Sequence, residues 1–142
     1  MTQASTETLS VVVERDIPYP PEKIWRALTQ PHLISEWLMK NDFNASVGHK
    51  FNLSGDWGGV DCEVLTVEPH KTLSYTWDYN HEDPTYALKS VVTFTLTPAG
   101  DGTQLRMEQV GFRPDQKQAF GGAKVGWRQN LENLEKVVSQ LD

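Results

Sequence analysis

The chain has 142 residues, a size typical of one domain, and its net charge of −6 comes from 19 acidic against 13 basic residues. Nucleic-acid binding draws on clustered Lys and Arg, so this acidic balance argues against a nucleic-acid partner. No apolar stretch approaches the roughly 20 residues of a membrane span, and the first residues lack the pattern of a signal peptide, so we expect a cytoplasmic protein without membrane insertion.

Residues 1–8 are polar and predict a disordered tail before a single domain over residues 9–142. Leu9, Val11, Val13 and Ile17 then alternate with mostly polar neighbours, which indicates a half-buried first strand. The strand ends at a proline-rich segment that begins at Pro18.

Two short helices are predicted after this strand. Prolines are tolerated in a first helical turn, so the first helix follows Pro20 and Pro21 and runs to about Leu28. Pro31 disfavours helical geometry at the residue before it, so the chain breaks there and a second helix carries Trp37. Asn41 and Asp42 are predicted to turn the chain.

The middle of the chain alternates in the manner of β-strands. The tract S-G-D-W-G-G predicts a tight hairpin with Trp57 at its tip. Val60, Cys62 and Val64 share one face of the next strand, and the change of phase at Leu65 predicts a β-bulge. Cys62 is the single cysteine and is interpreted as a small buried residue.

Three further strands follow, and their inward faces carry large apolar residues. Tyr75, Trp77 and Tyr79 form an aromatic row on the first of these strands. Ser90 and Gln109 also fall on inward faces, where a polar group needs a hydrogen-bond partner. Two alternatives remain open for them: satisfaction by backbone and water, or hydrogen bonding to a ligand.

The C-terminal segment predicts a long amphipathic helix. Its apolar or small residues recur at three-four spacing and form one stripe that must face the sheet: Phe120, Ala123, Trp127, Leu131, Leu134, Val138 and Leu141. Gly121, Gly122 and Gly126 cost about 1 kcal/mol each relative to Ala, so the front half of the helix is expected to be loosely filled. A long helix packed over a curved sheet is expected to leave a cavity between them that can hold an apolar ligand.

Several segments resemble a known family. The start I-P-Y-P-P-E-K-I-W-R-A-L-T-Q-P-H-L-I-S-E-W, the pieces W-L-M-K-N-D-F and G-H-K-F, and the closing G-W-x-x-x-L-x-x-L are similar to Hsp90 ATPase activator homologues, within the START and Bet v 1-like superfamily. The resemblance spans residues 9–141. It implies an α+β helix-grip fold: a curved antiparallel sheet, two short helices after the first strand, and a long C-terminal helix packed over the sheet and enclosing a cavity.

Catalytic signatures are missing from the sequence. The four histidines do not pair at metal-ligand spacing, and no nucleophile elbow, P-loop or dinucleotide motif occurs. We therefore expect no catalytic residues, no metal site and no cofactor, and a protein that is not an enzyme.

The leading hypothesis is binding or carriage of a small apolar molecule, such as a lipid, sterol, polyketide or flavonoid-like compound. The alternative is a stress-related co-chaperone or protein-interaction module of the Hsp90-activator type that contacts an Hsp90-type chaperone, and a third hypothesis is an aromatic cyclase-type enzyme. The chain is expected to be a monomer or a homodimer. The predicted ligand-binding residues are Trp37, Phe51, Trp57, Tyr75, Trp77, Ser90, Phe94, Met107, Gln109, Gly122 and Trp127.

Overall fold

A computed structural model describes residues 8–56 and 58–141 of the chain. It contains one antiparallel sheet with strand order β1-β7-β6-β5-β4-β3-β2. The strands are β1 (Leu9–Ile17), β2 (Lys40–Asn41), β3 (Lys50–Gly55), β4 (Gly58–Glu68), β5 (Thr72–Tyr79), β6 (Leu88–Ala99) and β7 (Gly102–Phe112). The helices are α1 (Pro21–Thr29), α2 (Pro31–Trp37) and α3 (Lys117–Ser139).

This order of elements confirms the predicted α+β helix-grip fold: the sheet is curved, α1 and α2 follow the first strand, and α3 closes the chain. The predicted tail overlaps residues 1–7, which lie outside the described residues, as does Trp57. The hairpin around Trp57 is nevertheless defined by its flanks, because Gly55 pairs with Gly58. Gly58 has a φ of 127°, a conformation that favours glycine.

The prolines set the helix boundaries as predicted. Pro20 is the N-cap of α1 and Pro21 its first residue, where a missing N–H costs nothing. Gln30, before Pro31, is extended at φ −95° and ψ 120°, so α1 ends there and a new helix, α2, begins at Pro31. Lys40 and Asn41 form a short strand, β2, opposite Ser54 and Leu53, which was not predicted. The chain turns directly after it, where Asn41 Oδ1 accepts from the N–H of Phe43 at 3.1 Å.

The predicted inward-facing positions of the strands are confirmed. The inward residues of β4 and β6 are buried, and so are Leu105, Met107 and Gln109 on β7. The predicted bulge also exists, since the pairing of β4 with β5 shifts register between Val64 and Thr66. One face of the sheet therefore forms the core beneath the helices.

The helix α3 is held over the sheet along its second half. Leu131, Leu134 and Val138 are completely buried, and the helix packs against β1, α1 and α2. Arg15 of β1 forms an ion pair of 2.7 Å with Glu135 at the same end. The first half of α3, by contrast, is largely exposed, and it borders an open space above β5.

Candidate ligand cavity

A cavity of about 1060 Å³ lies between the inner face of the sheet and the first half of α3. Its volume is slightly above the roughly 300–1,000 Å³ that is usual for small-molecule sites. The sheet side is lined by Val60, Trp77, Tyr79, Leu88, Gln109 and Phe112, and Met39 adds a side chain after α2. The space thus has a largely apolar floor.

The helix side of the cavity combines small residues and Trp127 with the polar side chains of Lys117, Gln118 and Asn130. Ala119, Gly122, Ala123 and Gly126 lie on one face of α3 at positions i, i+3, i+4 and i+7, and Trp127 closes the deep end. A Cβ atom added at Gly122 or Gly126 would meet no other atom within 4 Å. These glycines therefore leave space empty rather than admit a neighbouring backbone.

The mouth of the cavity is formed by the β5–β6 loop, residues 80–87, and by the start of α3. His81, Thr85 and Tyr86 line it from the loop, and Tyr86 is 62% exposed. Within the loop, the N–H of Thr85 donates to the Asp83 carboxylate at 2.9 Å and lowers the pKa of that group. Polar groups thus concentrate where the cavity meets water.

Two side chains hold this loop to the connection between β7 and α3. The Arg113 guanidinium donates to the carbonyl of Pro84 at 2.8 Å, and the amide of Gln116 donates to the carbonyl of Ala87 at 2.8 Å. The Gln116 side-chain oxygen in turn accepts from the N–H of Arg113 at 2.9 Å, and Gln116 is buried. The loop is thereby fixed to the α3 side of the mouth.

At the deep end, a chain of hydrogen bonds joins the two walls. The indole N–H of Trp127 donates to Gln109 Oε1 at 2.8 Å, and Gln109 Nε2 donates to Ser90 Oγ at 3.0 Å. Ser90 Oγ donates to the carbonyl of Trp77 at 2.7 Å. Within the described part of the chain, every buried side-chain nitrogen and oxygen has a partner. Of the two alternatives for Ser90 and Gln109, the structure therefore shows partners within the protein.

Aromatic rings continue from the deep end to the mouth. Trp77 and Trp127 lie 5.2 Å apart between ring centroids, within the range of favourable aromatic pairs. Tyr79 lies 6.0 Å from His81, and His81 lies 5.2 Å from Tyr86. One side of the cavity is therefore an almost continuous aromatic surface, to which β5 and the loop both contribute.

The predicted ligand-binding residues divide into two groups. Trp77, Gln109, Gly122 and Trp127 line the cavity. The structure places the others in the buried core behind the lining, where they support it: Trp37, Phe51, Tyr75, Ser90, Phe94 and Met107. Burial raises the pKa of Tyr75 well above its ordinary value. Trp57 lies outside the described residues.

The sequence reasoning omitted several lining residues from the site. Val60 and Leu88 had the correct inward parity, and Tyr79 belonged to the aromatic row, so their alternation was a usable signal. Met39, His81 and Gln116 gave no such signal, because loop residues have no periodicity. They reach the cavity only through the tertiary fold.

Outside the cavity, the titratable groups of residues 8–56 and 58–141 form no candidate metal site. Burial raises the pKa of the Cys62 thiol to about 12, and the negative charges of Asp78 and Asp61 add to the shift. Among residues 8–56 and 58–141, no three His, Cys, Asp or Glu side chains cluster as a metal site requires. The same residues include no helix that is long and apolar enough to span a membrane.

Comparison with known proteins gives a family and several similar structures. Residues 18–139 match the family described as Activator of Hsp90 ATPase homolog 1-like protein. Protein MLL2253 of Mesorhizobium loti is 67% identical with a TM-score of 0.91, over 94% of this chain and 99% of that one. CalU16 of Micromonospora echinospora is 26% identical with a TM-score of 0.75, over 92% and 76% of the respective chains.

A more distant similarity concerns the fold alone. The Aha1 dimer of Colwellia psychrerythraea is 19% identical with a TM-score of 0.80, over 92% of this chain and 96% of that one. Among curated proteins, no sequence matches the chain.

Proposed function

The chain belongs to the family of Activator of Hsp90 ATPase homolog 1-like proteins, and we propose that it binds and carries a small, largely apolar molecule. The observation that carries this proposal is the cavity of about 1060 Å³ between the sheet and α3. Apolar surface that a ligand covers contributes about 25 cal/mol per Å² to binding. Lipids, sterols, polyketides and flavonoid-like compounds are the candidate classes.

Binding without catalysis fits the distribution of polar groups. The titratable side chains of the cavity, such as His81, Asp115 and Lys117, lie at the mouth. Gln109 and Asn130 also line the cavity, but neither side chain is titratable, and the amide oxygen and nitrogen of Gln109 are both hydrogen-bonded within the protein. General acid–base catalysis needs a titratable group within hydrogen-bond reach of the reacting atoms, so an enzyme of the cyclase type receives less support. We expect this carrier to act in the cytoplasm.

The test is calorimetric titration with fatty acids, sterols, polyketides and flavonoids. Trp77→Ala should weaken binding about tenfold or more, because the ring contact and its apolar area are both lost. Trp25→Ala is the matched control, since Trp25 packs near His70 with a centroid distance of 6.2 Å and does not line the cavity. Unchanged affinity in Trp77→Ala would refute the assignment of this cavity.

A second candidate function is contact with an Hsp90-type chaperone, which the family match over residues 18–139 favours. In this case the surface of the protein acts, and the cavity has no role. Co-precipitation with the host chaperone and stimulation of its ATPase rate would support it. If a variant with a filled cavity still stimulated the chaperone's ATPase rate as strongly as the wild type does, this function would not depend on ligand carriage.

A further inference from the structure

We propose that the ligand is a flat, multi-ring molecule that enters with its apolar end first and lies between the aromatic side chains of β5 and the glycine face of α3. The inference rests on the proposed ligand-binding function and adds the shape and the orientation of the ligand. It also assigns Gly122 and Gly126 as positions that determine which ligands fit.

The sheet side presents flat surfaces. Trp77 and Tyr79 are two residues apart on β5, so both project from the inner face, and both are only partly buried. His81 and Tyr86 extend this aromatic surface to the mouth, with 5.2 Å between their ring centroids. Aromatic rings gain more from an offset-stacked or edge-on ring than from an aliphatic chain of equal area.

The α3 side of the cavity leaves room for a flat molecule. Gly122 and Gly126 are four residues apart and line the cavity on one face of α3. Glycine in a helix interior is unfavourable relative to alanine, yet a Cβ at either position would touch nothing within 4 Å. Packing within the protein therefore does not account for these glycines. Gly121 has the same open space, and Gly122 and Gly126 differ from it because they line the cavity. The absence of side chains instead exposes helix backbone, against which a flat ring system can lie.

The hydrogen-bond chain fixes the orientation. Trp127, Gln109 and Ser90 are bonded to one another, so a polar ligand group at the deep end would lose water and meet groups that already have partners. At the mouth, His81 Nδ1 accepts from the N–H of Asp83 at 2.9 Å, so His81 Nε2 and the Lys117 ammonium are the groups that can meet polar or anionic substituents. The apolar rings should thus lie inside and the polar substituents outside.

Two probes with the same carboxylate and the same number of carbon atoms test the shape. Anthracene-2-carboxylate is flat, whereas pentadecanoate is a flexible chain. Calorimetry should show that the flat probe binds at least about tenfold more tightly. Equal or tighter binding of pentadecanoate would overturn the inference and leave the proposed function intact. Binding of neither probe would overturn both.

Matched glycine variants test the placement. Gly122→Leu and Gly126→Leu put a side chain into the cavity and should each weaken binding of anthracene-2-carboxylate at least about tenfold. Gly121→Leu is the control, because Gly121 is in the same helix, is exposed and does not line the cavity. Circular dichroism should show all three variants folded. Unchanged binding in Gly126→Leu, or an equal loss in Gly121→Leu, would overturn the inference.

Discussion

Gln109 links the cavity to the core through a single amide. Its oxygen accepts from Trp127 and its nitrogen donates to Ser90, so it joins α3, β7 and β6 at one point. The amide is 2% exposed. A buried polar group of this kind is stabilising only while all its neighbours are also satisfied. It thereby fixes the ring of Trp127 at the deep end.

Gln109→Leu should lower the free energy of unfolding by about 1–3 kcal/mol, because the buried indole N–H of Trp127 loses its acceptor. Urea unfolding measures the change. Gln104→Leu is the matched control on the same strand, since Gln104 faces solvent and its replacement should change stability by less than about 0.5 kcal/mol. Equal effects of the two substitutions would show that the buried amide has no special role.

Cys62 gives the protein a pH dependence at alkaline pH. In the folded state burial raises the pKa of its thiol from 9.0 to about 12. Between these values the unfolded chain loses a proton that the folded protein retains, so the stability present below pH 9 falls as the pH rises. The burial of Tyr75 acts in the same direction.

Urea unfolding of the wild type and Cys62→Ala between pH 7 and pH 11 measures this contribution of the thiol. The free energy of unfolding should fall less steeply with pH in Cys62→Ala, because this variant lacks the thiol with the raised pKa, whereas Tyr75 is common to both proteins. Parallel pH profiles of the two proteins would contradict the expected contribution of Cys62.

At the scale of elements, the β5–β6 loop and the start of α3 act together. Arg113 and Gln116 both donate to backbone carbonyls of residues 84–87, and the loop supplies the mouth residues His81 and Tyr86. Under the proposed ligand-binding function, a ligand would enter between these two segments. We therefore expect the loop contacts to influence ligand entry.

Gln116→Ala should speed amide hydrogen exchange in residues 83–86 roughly two- to tenfold, because each lost hydrogen bond is worth about 0.5–1.5 kcal/mol. The informative amides are those of Thr85 and Tyr86, which bond to Asp83 within the loop. Exchange measured by mass spectrometry in the Gln118→Ala variant provides the control, since Gln118 is exposed. Equal exchange in both variants would show that Gln116 does not hold the loop.

The elements differ in how far the sequence predicts them. Alternation places Leu88, Gln109 and the rest of the inner sheet face correctly, because a half-buried strand has a strict period of two. The short strand β2 is missed, since two residues carry no period and Asn41 is usually a turn former. The alternation of residues along a strand predicts which side chains face the interior. It does not predict whether an interior side chain lies in the packed core or lines the cavity. Phe94 and Trp77 both face inward, yet only Trp77 reaches the cavity.

At the scale of the whole molecule, the second half of α3 anchors the helix and the first half forms a wall. Leu131, Leu134 and Val138 anchor the second half in the core, whereas Gly122 and Gly126 leave open space at two positions of the wall. This division follows from the sequence, because the three glycines of this amphipathic helix all lie in its first half, whereas the second half carries only large residues on its apolar face. The packed second half of α3 can therefore hold the helix in place while the cavity beside its first half stays unfilled.

The most direct test of a ligand-filled cavity is the tryptophan indole N–H region of an NMR spectrum of labelled protein, titrated with the flat aromatic and aliphatic compounds above. The account predicts saturable shifts of the Trp77 and Trp127 signals, since both rings line the cavity. The Trp37 signal should stay in place, because its N–H is bonded to the carbonyl of Ala27 at 2.7 Å in the core. No saturable shift of Trp77 and Trp127 with any compound, or equal shifts of Trp37, would contradict the account.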